Sequence, residues 1–162
     1  MLTERQGRAS AEIAERTGID MPMIDRLVRT FYGKVRQDEV LAPVFNEKIA
    51  DWEPHLARMG EFWSSVALMS GIYHGRPMQK HLPLPVDARH FDRWLQLFRE
   101  AAHEVCPAVA AAHFIERAER IAQSLEMGIA VTHGVLLTNG SRFQRPDNEV
   151  SLPVRARAPQ PA

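Results

Sequence analysis

Seven histidines make metal binding the first chemistry to weigh in this sequence, because imidazole is the commonest protein metal ligand and titrates near neutrality. Most metal signatures are missing: there is no H-E-x-x-H, no C-x-x-C and no C-x-x-C-H. The stretch "EAAH", Glu100 to His103, has the E-x-x-H spacing of carboxylate-bridged di-iron bundles. Such bundles need a second motif and further carboxylates, and only this one is present. The most distinctive setting belongs to His81, in "YHGRPMQKHLPLP", with Pro77 behind it and Pro83 and Pro85 ahead. On spacing alone, an exposed loop histidine is the commoner reading. The sharper one is a rigid one-turn platform, started by Pro77 and kept from lengthening by Pro83.

Haem makes a wider set of residues coherent. One axial imidazole can hold the iron, apolar faces supply a slot for the flat ring, and a few polar groups govern what binds opposite. In that reading His81 ligates, with Met78 three residues earlier on the same side. Tyr32 and Trp94 bring hydrogen-bond donors into otherwise apolar stripes, and His55 and Met59, four apart, share one helical face. Each residue also has a plainer reading. Tyr32 can be a helix-edge residue, Trp94 a core side chain, and the methionines adaptable packing. Glu100 and His103 fit a solvated face, and Cys106 a small residue at a helix end. The non-haem alternative is a colourless helical scaffold in which these side chains merely pack.

Helical periodicity is what would position them. Asp20 is the expected N-cap of a helix with Pro22 in its first turn and Ile24, Leu27, Val28, Phe31 and Val35 along one stripe. Trp52 to Met69 carries Leu56, Met59, Phe62, Trp63 and Val66 on one face. Phe91, Trp94, Leu95, Phe98, Ala102 and Val105 repeat the pattern up to Pro107, and a last long helix carries Phe114, Ala118, Ile121 and Leu125. A short helix is expected at Ser10 to Arg16, stopped at Gly18, and a turn at Pro43. Val131 to Thr138 fits either a helix extension or a short extended piece. From Ser141 to Ala162, four prolines and four arginines without periodicity predict a mobile tail. No strand pattern persists, so the expected class is all-α.

The composition bounds the function. A chain of 162 residues predicts one domain, with 45% apolar and 25% charged residues. Twenty basic residues against twenty acidic ones argue against a general nucleic-acid or membrane-surface role. One cysteine excludes an internal disulfide and a multi-thiolate zinc site. The charged start lacks a signal-peptide core and no apolar run reaches membrane-spanning length, so a cytoplasmic protein is expected.

Four ordered motifs carry a resemblance: "FYGKVRQDEVLAPVF", "HLARMGEFW", "YHGRPMQKHLPL" and "HFDRWLQLF". Together they resemble the truncated haemoglobins of the third group, from about Asp20 to Gly128. The resemblance implies a shortened globin, two helices over two around haem b, pairing Met21–Arg36 with Trp52–Met69 and Phe91–Val105 with Ala110–Gly128. It divides the chain into an N-terminal extension (1–19), a globin domain (20–128) and a C-terminal extension (129–162). It places His81 on the proximal ligand, Tyr32 and Trp94 on distal donors, and His55 at the distal gate with Met59 one turn along. His55 could donate to a ligand, swing outward, or sit at the haem edge. Phe45, Trp63, Met78 and Phe91 match apolar haem contacts. Tyr73, Arg76 and Lys80 match partners of the propionates. The implied function is binding of dioxygen, nitric oxide or carbon monoxide at a five-coordinate ferrous haem. Alternatives are nitric oxide dioxygenase or peroxidase-like turnover with an external reductase, and a haem-based sensor.

Overall fold

The structure, a computed structural model, describes residues 4–138 and 140–145. Among them there are seven helices and no strand: α1 (Glu4–Thr17), α2 (Met21–Val35), α3 (Ala42–Lys48), α4 (Trp52–Leu68), α5 (Pro77–His81), α6 (Ala88–Val105) and α7 (Ala108–Thr132). Among the described residues no helix is long and apolar enough to cross a membrane.

Local chemistry sets most boundaries. At the end of α1, Gly18 takes a positive φ of 73°, and its N–H donates to the Ala14 carbonyl. The Asp20 side chain accepts from the Met23 N–H at 2.9 Å, capping α2, and Pro22 occupies its first turn. α1 begins six residues before the expected Ser10, in a polar stretch without an apolar stripe to announce it. Pro43 opens α3 instead of marking a turn, because a proline in the first helical turn sacrifices no hydrogen bond. α7 continues past Gly128 to Thr132, so Val131 and Thr132 are helical.

The expected stripe of α2 forms the centre of the core: Ile24, Leu27, Val28, Phe31 and Val35 are each at most 1% exposed. Each such side chain contributes about 1.5–3 kcal/mol of burial. α2 packs on α4 and α6, and α6 packs on α7, so the helices expected as pairs are neighbours. Ala101, Ala102, Ala110, Ala111 and Ala118 are fully buried and let α6 and α7 approach closely. Trp63 and Trp94 both stack on Phe98, at ring separations of 4.8 and 5.5 Å.

The expected mobile tail needs one correction. Its first residues, Ser141 to Arg145, dock on the helices, and Phe143 is 1% exposed. Burial of that aromatic ring opposes free movement of the segment. Residues 146–162 lie outside those described.

Candidate functional site

An apolar cavity of about 360 Å³ lies between the helices. α2 supplies Tyr32 and α3 supplies Val44, Phe45 and Lys48. α4 gives His55, Arg58, Met59, Phe62 and Trp63, whose three- and four-residue spacing makes one continuous helical face. α5 contributes Pro77, Lys80 and His81, and α6 contributes His90, Phe91 and Trp94. Ile121, Ala122 and Leu125 of α7 complete the wall.

His81 sits at the end of α5, the five-residue helix that Pro77 opens. Its Nδ1 lies 2.6 Å from the Pro77 carbonyl oxygen. A carbonyl only accepts, so Nδ1 carries the proton and Nε2 keeps its lone pair. This is the arrangement that orients an imidazole for metal binding. Burial lowers the His81 pKa, the Pro77 hydrogen bond opposes that shift, and the Lys80 charge adds to it. The ring therefore favours its neutral, ligating form.

Three further side chains with polar atoms line the cavity: His55, Tyr32 and Trp94. His55 Nε2 is buried and has no partner among the described residues. Its pKa falls to about 4, through burial first and then the charges of Arg58, Lys80 and His81. Burial raises the Tyr32 phenol above its usual range and keeps it protonated. The Tyr32 ring meets His55, Phe45 and Trp52 at separations of 5.2–5.9 Å. Trp94 lines the same cavity, held between Phe31 and Phe98 by an edge contact and a stack.

These features fit haem. An apolar slot accepts the ring, a tautomer-fixed imidazole offers Nε2, and a buried imidazole atom waits without a partner. Lys48, Arg58 and Lys80 are exposed residues on the lining, which among the described residues includes no aspartate or glutamate. A dianionic ligand with its carboxylates toward solvent suits that charge.

Most residues expected at the site from sequence meet at this cavity: Tyr32, Phe45, His55, Met59, Trp63, Tyr73, Lys80, His81, Phe91 and Trp94. Met78 and Arg76 are not on its lining. Met78 turns toward α7, its sulfur 2.5 Å from where a Cβ on Gly128 would stand. The bare backbone of Gly128 makes the room that draws it there. The Tyr73 ring packs on Phe62, and its hydroxyl lies over Gly75. Arg58 and His90 went unnamed in the sequence reading. Arg58 is three residues from His55, and His90 is four before Trp94, so helical spacing could have found both. Lys48 is three residues after Phe45, but on α3, where a turn was expected, so that spacing carried no helical meaning.

Comparison with known proteins agrees with this architecture. The family model described as bacterial-like globin matches residues 15–127. The chain is 36% identical over 113 residues to the Group 3 truncated hemoglobin ctb of Campylobacter jejuni, covering 67% of this chain and 89% of that one. The crystal structure of the group III truncated hemoglobin from Campylobacter jejuni matches with a TM-score of 0.63, at the same identity and coverage. The crystal structure of the hemoglobin from the thermophilic phototrophic bacterium Chloroflexus aurantiacus matches with a TM-score of 0.57 at 26% identity, covering 70% of this chain and 95% of that one. A globin family match over most of the chain, joined to this cavity and its imidazoles, leads to one conclusion: the chain belongs to the bacterial-like globins, as a truncated haemoglobin of the third group and hence a haem-binding globin.

Proposed function

We propose that the chain carries haem b on His81 and binds dioxygen and similar diatomic ligands, with retention favoured over rapid release. When bound, haem would supply an iron atom, held by His81, that is able to take a small gas. The chain's own part is to hold, shield and polarise. His81 offers Nε2 because Pro77 occupies Nδ1. Lys48, Arg58 and Lys80 offset the propionate charge. Met59, Trp63 and Phe91 exclude water from the ring faces. Tyr32 and Trp94 donate to a ligand that gains partial negative charge, and His55 is the third polar group within reach.

The observation that carries this reading is the buried Nε2 of His55, without a partner among the described residues, beside the buried phenol of Tyr32 in one cavity with His81. A buried polar atom costs about 1–3 kcal/mol when it finds no partner. A ligand that satisfies such atoms removes that cost.

The test is an absorption spectrum of the full chain purified from haem-sufficient cells. The expected result is a haem protein with a five-coordinate ferrous spectrum, and loss of that spectrum in His81→Ala. A colourless, folded parent would overturn the haem assignment. An unchanged proximal-histidine spectrum in His81→Ala would move the axial ligand elsewhere.

A further inference from the structure

Residues 141–145 lie beyond the 15–127 span matched by the globin family, yet they are tied into the wall of the haem cavity. Phe143 packs in a cluster with Val86, Phe91 and Leu125, all three of which line that cavity. Its carbonyl accepts from the Ala88 N–H at 2.8 Å, in the first turn of α6. Arg142 makes a clamp across two helices. Its Nε and Nη2 donate to the Glu126 carboxylate of α7 at 2.8–3.1 Å. Its Nη1 pairs with Asp92 of α6 at 2.8 Å, and Nη2 also reaches the Ala88 carbonyl at 3.2 Å. The Arg145 N–H donates to Asp87 Oδ2 at 3.0 Å. Asp87 is fully buried and caps α6 through a reciprocal box with His90, a residue of the cavity wall.

The strap therefore fixes Asp87 and Ala88, and these lie only a short connector away from the axial imidazole. Residues 82–86 join them to His81, and two of the five are proline, Pro83 and Pro85. Proline fixes φ and restricts the residue before it, so this connector has little freedom to absorb a shift. A displacement of the α6 N-terminus must pass in large part to α5.

We propose that Arg142 and Phe143 are positioning residues for the proximal side of the haem site, acting through Ala88, Asp87 and the proline connector on His81. This rests on the haem reading above. Loss of the support that orients a metal-bound histidine typically weakens metal retention about 10- to 100-fold.

The experiment uses the haem-loaded full chain, with Phe143→Ala, the conservative Phe143→Leu, and Arg142→Gln. Haem loss is followed by transfer to apomyoglobin. Resonance Raman spectra record the iron–histidine stretch of the ferrous protein and the carbonyl stretch of its carbon monoxide form. Phe143→Ala and Arg142→Gln are expected to lose haem about tenfold faster and to shift or broaden the iron–histidine band. The carbonyl stretch should stay in place, and Phe143→Leu should recover most of the parent behaviour. If Phe143→Ala does not fold, Arg142→Gln, which keeps the aromatic wedge, decides by the same readouts. An unmoved iron–histidine band with parental haem loss would overturn the proposal, even if the melting temperature fell. Equal shifts in both bands would overturn it too, since that is general loosening. A parent that takes up no haem would instead remove the underlying haem reading.

Discussion

Tyr32 shows how one side chain can be legible and still need the structure for its meaning. Its position in "FYGKV" and its place on an apolar stripe were readable, but its burial with His55, Phe45 and Trp52 around it was not. A hydrogen bond to a partly charged ligand is worth about 1.5–3 kcal/mol, and about 1.4 kcal/mol is tenfold in a rate or equilibrium. Tyr32→Phe is therefore expected to speed dioxygen release by about tenfold or more. Stopped-flow release that matched the parent would leave the phenol as wall and not donor. Met78 shows the opposite case. Three-residue spacing from His81 suggested a shared side, but in a single-turn helix the direction of a side chain follows the space its neighbours leave. Here that space is over Gly128. The missing side chain of a glycine on a distant helix leaves no mark in the local pattern.

Among elements, the long helices were legible because each repeats an apolar stripe over several turns, and Asp20 announces the start of α2 by its own capping chemistry. α3 was not, since seven residues are too few to show a period and its proline resembles a turn signal. The docked segment at 141–145 escaped for a related reason: its anchor is one phenylalanine among polar residues. The contact of α5 with α7 carries the prediction that belongs to this scale. Met78 Sδ and Leu82 Cδ2 lie 2.5 and 3.5 Å from the site of a Cβ on Gly128. Gly128→Val is expected to destabilise the fold by up to about 1 kcal/mol, the overpacking being partly relieved by movement of the flexible Met78 end and offset by removal of a helical glycine. The cost should shrink in a Met78→Ala background, because the two changes share one space. Denaturant midpoints of the four combinations check this, and simple additivity would deny the contact.

The molecule as a whole answers to acid through its buried imidazoles. His113 joins α7 to α4 by a 2.8 Å contact between Nε2 and the Ala67 carbonyl, so that nitrogen donates. Burial lowers its pKa below the ordinary 6.5, although the Ala67 hydrogen bond pulls the other way and Arg117 adds to the lowering. Below pH 6.5 the unfolded chain takes up a proton that the folded chain resists, so stability should fall as pH drops from there. His113→Gln, which retains a donor, is expected to flatten that fall, as read from urea midpoints across the acid range. A parental slope would remove this residue from the account. The placement of the three tryptophans has a different kind of consequence. Trp63 and Trp94 stand on the cavity wall, and Trp52 is 5.6 Å, ring to ring, from His55. Every indole in the chain thus sits where an absorbing pigment would drain its excited state. The protein's own ultraviolet glow is a built-in gauge of whether the slot is filled, bright when empty and dark when loaded.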